Sequence, residues 1–420
     1  MMLRPIMSYG YEVAEPSKTA FLSHERVQAA AARQLLGTPK YTKFEALRGE
    51  LGWWTMTGRM HKQQLLFLHR LQTMPNTRLV RKVFAQRMDD ANRRIAGNET
   101  KIIETRNGVR VRKNPLRTYG FCHHIRNVLQ RYNLEDRHTT ESKCTPLEWK
   151  RIVVSAIQRK EEEEWKSKLN YDATVKNSPA AQWYSKVKSG YWGYEKWGLE
   201  DYLTRANIKN NEMATASGES FKDVAARKLR TQMRTYSAPL AAILSYVGRP
   251  ITGTNKKQSE QAGVTRNPEW CILCNGGPET PSHVMCSCPM YDTARSRLFK
   301  LAESRWNEAR DTDAPWLLNY YARHSMGSIH TPAPSPWLTM NDDDKAAWLL
   351  SFDEDDVMMR VLNEYLLVAF GTRKQLLRIM KTQDGPEQLA ATKLLQAIVD
   401  VDIEADFMIN EDSTDAAPAA

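Results

Sequence analysis

Cys271-Ile272-Leu273-Cys274-Asn275-Gly276-Gly277-Pro278-Glu279-Thr280-Pro281-Ser282-His283-Val284-Met285-Cys286-Ser287-Cys288-Pro289 is the stretch that decides how this chain is read. Two thiolates two residues apart can bite one metal ion from a single tight turn, and a later His and Cys can complete a tetrahedron. With all four positions filled by protein, none is left for water, so the pattern predicts a closed, structural Zn²⁺ site. Cys271, Cys274 and His283 are the first three candidate ligands. Cys286 and Cys288 compete for the fourth position, as H-x2-C and H-x4-C. The competing reading is a cluster of buried, metal-free cysteines. Four of the six cysteines fall within eighteen residues, Cys271 to Cys288, and C-x2-C is a known ligand spacing, so the metal reading is preferred. Gly276 and Gly277 let the chain turn back, and Pro278 and Pro281 stiffen the return. Pro289 is placed to open a helix over about 291–306.

Charge narrows the partner. The 420 residues carry a formal net charge of +11, unevenly spread. Residues 1–300 hold 50 Lys/Arg against 28 Asp/Glu, a net of +22, whereas residues 301–420 hold 10 against 21, a net of −11. A basic body with an acidic tail suits a chain that binds phosphate backbones, RNA or DNA. It also suits a zinc-stabilised scaffold that meets an acidic protein. Within the body, Ile102 to Arg112 places Asn107-Gly108 between two β-prone runs, which predicts a hairpin with a type I′ turn. Arg106, Arg110, Arg112, Lys113 and Arg117 make that hairpin a candidate phosphate grip. Trp183, Tyr184, Tyr191, Trp192, Tyr194, Trp197 and Tyr202, interleaved with lysines, could stack bases, but aromatics more often fill cores. Cys122, His123, His124, His138 and Cys144 are too poorly spaced to predict a second metal site.

The zinc-site spacing differs from the retroviral nucleocapsid knuckle, whose gap to the His is shorter. It resembles the zinc-binding segment that follows the polymerase domain in non-LTR retrotransposon reverse transcriptases. The residues carrying the resemblance are Cys271, Cys274, Glu279-Thr280, His283-Val284, Cys288-Pro289, Tyr291 and Arg295. Upstream, Leu229-Arg230-Thr231 and Gly248-Arg249 look like the same family's lead-in. So do Tyr9-Gly10-Tyr11-Glu12, Ala31 to Gly37, and Leu47-Arg48-Gly49-Glu50-Leu51-Gly52-Trp53. The resemblance covers roughly 1–310. It implies Cys288 as the fourth ligand, a thumb and connector made of helices, and a template RNA or target DNA as partner. An upstream polymerase portion of the same element is a further expected partner. Arg295 and Arg297, on the helix after the ligands, join the candidate nucleic-acid contacts.

The family's catalytic signature is missing from these residues. A reverse transcriptase holds two Mg²⁺ ions on paired aspartates that follow an aromatic and one other residue. No such tetrapeptide occurs. Asp342-Asp343-Asp344 and Asp353-Glu354-Asp355-Asp356 lack apolar strand neighbours and read as acids at helix starts. The Pro-Asp plus Glu-x-Lys arrangement of restriction-like endonucleases is also lacking, as is the His-x-Glu of zinc deaminases. The expectation is a non-catalytic chain that begins where the palm would have ended.

The fold class expected is mainly α, with one β-hairpin insertion, a small CCHC zinc unit and a C-terminal helical pair. A helix capped by Ser23 should end at Gly37, and Thr42 with Glu45 suggests a capping box for the next. Leu65, Leu68 and Leu71 recur at helical spacing over 58–74, with Pro75 as the stop. A basic helix follows at about 77–94. Thr145-Pro146-Leu147-Glu148 opens a long helix to about Leu169, with Glu162/Lys166 and Glu164/Lys168 as i,i+4 pairs. Val357, Val361, Leu366 and Leu367 form a stripe in the C-terminal pair. The expected divisions are a thumb-like helical unit at 1–97, the hairpin insertion at 98–120 and a helical connector at 121–265. The zinc unit and its helix follow at 266–310, then a Pro-rich linker at 311–342, helices at 343–400 and an acidic, disordered tail at 401–420. No run of 18 apolar residues suggests a membrane span, and no hydrophobic signal core follows Met1. Cysteines at metal spacing fit a reducing compartment, nucleus or cytoplasm.

Overall fold

A computed structural model describes residues 10–13, 18–96, 100–105, 108–113, 120–135, 144–190, 197–200, 202–203, 221–247, 269–312, 314, 317, 336–352 and 355–382. These residues are mainly helical. In chain order the helices are α1 (Lys18–Leu36), α2 (Phe44–Leu51), α3 (Met56–Thr73), α4 (Leu79–Ala96), α5 (Gly120–Arg131), α6 (Pro146–Thr174) and α7 (Pro179–Gly190). They continue as α8 (Phe221–Arg234), α9 (Ala241–Tyr246), α10 (Asp292–Asp311), α11 (Asp342–Ser351) and α12 (Asp356–Thr382). Strands β1 (Thr100–Thr105) and β2 (Gly108–Lys113) pair antiparallel, Thr100 opposite Lys113 and Thr105 opposite Gly108. The chain divides into two compact units, residues 1–29 with 53–167, and residues 30–52 with 168–420.

The first unit is built around α3. Thr55 caps it by accepting from the Gly58 N–H at 3.0 Å. Its Leu65, Leu68 and Leu71 are buried against Cys122, Ile125, Val128 and Leu129 of α5, and against Trp149, Val153 and Ile157 of α6. The Trp149 indole N–H donates to the Leu65 carbonyl at 2.9 Å, and its ring stacks on His69. One turn of α3 is pinned by a buried carboxylate. Glu161 accepts from the Thr55 N–H at 2.9 Å and from the Thr55 hydroxyl at 2.6 Å. A Cβ on Gly58 would stand 2.4 Å from the Glu161 Oε1, so the close approach requires glycine there.

The second unit is built around charges. Glu50 is fully buried, and Arg234 bonds it through two nitrogens at 2.9 and 3.0 Å. Arg234 also reaches Glu200 at 2.7 Å, and Glu200 pairs with the buried Lys188. The Tyr202 hydroxyl donates to Glu50 at 2.6 Å. Burial opposes the Arg234 charge, but Glu200 and Glu50 outweigh it and hold its pKa well above the ordinary value. Arg234 and Arg230 further donate to the carbonyl of Leu350, and Arg230 to that of Phe352. An apolar core surrounds this network, with Trp183, Met233, Ile243, Trp306, Trp348, Leu350, Leu362 and Leu366 among its members. Trp183, Tyr184, Trp197 and Tyr202 are buried here and belong to the interior. Tyr191, Trp192 and Tyr194 lie outside the described residues.

Several boundaries differ from the sequence reading. Helix α1 starts at Lys18, so Ser23 is interior and its hydroxyl donates back to the Thr19 carbonyl at 3.1 Å. Helix α2 has Lys43 before it and no side-chain cap, because the Thr42 hydroxyl donates to the Pro39 carbonyl at 2.8 Å. Helix α6 does open with Thr145 and Glu148 bonded reciprocally, and it continues to Thr174. Glu162 pairs with Lys166 at 2.8 Å, but Glu164 pairs with Arg131 and Lys168 with Asp172. On α12 the buried face is Met358, Val361, Leu362, Tyr365, Leu366 and Ala369, while Val357 is exposed and Leu367 half-buried. The expected helix beyond Thr382 and the tail lie outside the described residues. The Asp342–Asp344 run starts α11, with Asn341 accepting from the Asp344 N–H and Lys186 pairing with Asp344 at 3.1 Å.

Two outcomes test this packing. His61 is buried with its Nδ1 2.9 Å from the Tyr132 hydroxyl, and burial, then His124 and Arg131, depress its pKa to about 3. The unfolded chain binds that proton near the ordinary pKa of about 6.5 and the folded chain does not. His61 therefore contributes stability that is full above about pH 6.5 and falls as pH drops toward 3, by a few kcal/mol at most. Urea midpoints across this range should fall with acid, and His61→Gln should flatten the change. In the second unit, Glu50→Ala removes the two-pronged partner of buried Arg234, leaving Glu200 alone to balance it, and should cost about 3 kcal/mol. Glu50→Ala with Arg234→Met should recover much of that loss in denaturant melts.

Candidate metal centre

The segment 269–291 folds as a tight hairpin, a wide turn and a short lead into α10. In the hairpin, the Glu279 N–H donates to the Glu269 carbonyl at 2.8 Å and Trp270 bridges Pro278. The Cys271 N–H donates to the Gly277 carbonyl at 2.6 Å, and the Asn275 N–H to the Cys271 carbonyl at 3.0 Å. Asn275 takes a left-handed φ of 52°, the reversal that aims Cys271 and Cys274 at one point. The Gly276 N–H donates to the Cys274 sulfur at 3.3 Å.

His283 and Cys288 reach the same point through a wide turn. The Cys288 N–H donates to the His283 carbonyl, five residues back, at 2.8 Å. In an α-helix five residues rotate a side chain about 140° from its start. The wider i→i+5 turn brings His283 and Cys288 to one side. The donor atoms of Cys271, Cys274, His283 and Cys288 all lie within 4.8 Å of one another. The Cys271 and Cys288 sulfurs are 3.9 Å apart, and the Cys274 sulfur is 3.3 Å from the His283 Nε2. A tetrahedron with metal–sulfur bonds of about 2.3 Å and metal–nitrogen bonds of about 2.0 Å has edges of about 3.8 and 3.5 Å. A disulfide would need its sulfurs about 2.05 Å apart. The residues therefore fit a metal ion, and the four positions are filled by protein.

Cys286 stays out of this group. Its sulfur is not among the four clustered donor atoms, and burial, then the negative charge of Asp342, push its thiol up to about 12. Cys288 supplies the fourth donor atom of the cluster that could hold a metal ion. Of the other sequence candidates, Arg295 is buried and pairs with Asp292, which leaves little of it for a phosphate. Arg297 is exposed, with Glu364 3.4 Å away. Arg106 and Arg117 lie outside the described residues, as do the side chains of Arg110, Arg112 and Lys113. Cys122 is buried in the core of the first unit, and the Nε2 of His124 meets Gln64 at 2.9 Å. His138 lies outside the described residues.

What the sequence did not assign is how the centre is fastened. Glu279 is fully buried, accepts from the Ala241 N–H at 2.6 Å, and receives Arg373 of α12 at 2.8 and 2.9 Å. The Tyr365 hydroxyl donates to the Val284 carbonyl, and Ser287 bonds Asp342. The signal for Glu279 was present, as an acid four residues ahead of the His, but Arg373 is 94 residues away.

Metal titration of the chain should saturate at about one ion. Cys271→Ser and Cys288→Ser should each abolish that stoichiometric binding, and Cys286→Ser should retain it, as read by elemental analysis after desalting. No family model matches this chain, and neither the curated proteins nor the solved structures give a significant match to it.

Proposed function

We propose that the chain is a non-catalytic, zinc-binding and nucleic-acid-binding protein resembling the C-terminal portion of non-LTR retrotransposon reverse transcriptases. Zn²⁺ is the ion that best suits three thiolates and one imidazole in a closed tetrahedron. When bound, it supplies a structural crosslink between the 271–274 hairpin and the 283–288 turn. The partner is template RNA or target DNA, together with an upstream polymerase portion of the same element. The place of action is the nucleus or cytoplasm.

The observation that carries the reading is the charge division, +22 over residues 1–300 against −11 over 301–420. The paired strands 100–105 and 108–113 form the basic hairpin insertion in this reading. In this reading Arg106, Arg110, Arg112, Lys113 and Arg117 are the residues that meet phosphates. No helix among the described residues is long and apolar enough to cross a membrane. A second reading is a protein-interaction scaffold. It draws on exposed apolar side chains at the start of α4, with Leu79 74%, Val80 54% and Val83 46% exposed.

Affinity for an arbitrary oligonucleotide should weaken steeply with salt, with a slope of about −0.7 to −0.9 per neutralised phosphate. Replacing Arg106, Arg110, Arg112 and Lys113 together should lower affinity and flatten the slope, alike for unrelated sequences. Removing residues 401–420, with six acids and no Lys or Arg, should tighten binding modestly. Template-directed nucleotide incorporation should be absent with Mg²⁺ or Mn²⁺. Salt-insensitive binding would favour the scaffold.

A further inference from the structure

The first unit gathers positive charge at a place the sequence did not single out. Arg59 and Lys62 stand three residues apart on α3 and so share a face. Helix α6 runs antiparallel beside them, since Glu161 meets Thr55 while Trp149 meets Leu65. That register brings the exposed Lys150 of α6 toward the same surface. Trp54, half-buried just ahead of α3, holds its ring centroid 5.7 Å from the Lys62 ammonium. Burial, then the positive charges of Lys150 and Arg59, drag the Lys62 pKa below the ordinary lysine value. Among the described residues no carboxylate pairs with Lys62 or Lys150. Cations crowded in this way repel one another and weaken the fold that holds them, so their arrangement is suited to an external anion.

We propose that Lys62 and Lys150 form a phosphodiester-binding patch on the first unit, and that Trp54 is its stacking surface for an unpaired base. The ligand class is single-stranded nucleic acid. The ring beside the cations is what selects it, because bases stack on aromatic faces while ammonium groups track the backbone, and a duplex hides those faces. Lys62 sits on a flexible stem and can pass from the ring to a phosphate as a base arrives. This inference rests on the nucleic-acid reading above and places a contact within it, separate from the hairpin arginines.

The test uses the full chain, a short fluorescent oligothymidylate and a blunt duplex, measured by anisotropy over a salt series. Lys62→Gln with Lys150→Gln should weaken oligothymidylate binding about tenfold at low salt and make its salt slope shallower by about 1.4. Trp54→Leu should weaken oligothymidylate binding by about fivefold or more and leave duplex binding unchanged. The thermal midpoint of the lysine variant should be unchanged or raised, because repulsion is relieved. If it falls, the lysines are structural and the patch is refuted. Unchanged affinity and slope in the lysine variant, with the wild type still binding, would refute the patch and leave the proposed function standing. A wild type that binds neither nucleic acid would refute both. Polyglutamate binding as tight as oligothymidylate, indifferent to Trp54→Leu, would assign the patch to an acidic protein and overturn the proposal.

Discussion

A carboxylate with no exposure to water cannot stay ionised unless protein groups replace its hydration, and Glu50 is such a carboxylate. Everything near it in the second unit is arranged to meet that demand. Arg234 covers both oxygens, Tyr202 adds a hydroxyl, and Glu200 with Lys188 balances the remaining charge. These groups come from α2, α7, the segment around 200–202, and α8. Arg234 then gives its remaining nitrogen to the Leu350 carbonyl at the end of α11, where Arg230 also donates. No subset of these segments can bury its share alone, so they must assemble together. Glu279 repeats the solution on a smaller scale, with an arginine fork and one backbone N–H. A core of this kind is specified by pairing geometry as much as by apolar area.

What could be read from the sequence follows the range of each interaction. The clustering of Cys271, Cys274 and His283 was legible because they are close in sequence and their spacing encodes a geometry, whereas spacing alone left Cys286 and Cys288 level. The start of α6 was legible because Thr145, Pro146 and Glu148 act within one turn. Ser23 and Thr42 misled because a hydroxyl bonds equally well to a carbonyl three or four residues back as to an amide ahead. Glu164 left its expected partner because Arg131, from another helix, offers two bonds at 2.6 and 2.8 Å. Glu50, Arg230 and Glu279 were all quoted for the family resemblance, yet nothing local reveals that each sits at a buried charge. Their partners Arg234, Phe352 and Arg373 lie 184, 122 and 94 residues away and carry no periodicity.

The candidate metal centre is joined to the rest of its unit through backbone and side chains alike: Val284 contributes a carbonyl, Glu279 a carboxylate that takes the Ala241 amide and Arg373, and Ser287 a hydroxyl. The centre thus shares a hydrogen-bonded neighbourhood with α9, α11 and α12, and its Cys271, Val284, Met285 and Cys288 share one apolar core with Leu298 and Trp306 of α10. The acidic start of α11 serves this neighbourhood too, since Asp342 takes Ser287 while Asp344 takes Lys186.

The wide turn from His283 to Cys288 makes the centre far more sensitive to length than to composition. Met285 fills the core and Ser287 is exposed, so both can change within their size and polarity classes without moving the ligands. Inserting a single residue between His283 and Cys288 is different: each added helical residue turns the chain by about 100°, so the cysteine would swing away from the imidazole. Drift in this segment is therefore tolerated by substitution and filtered at insertions, a frame counted in residues and not in codons.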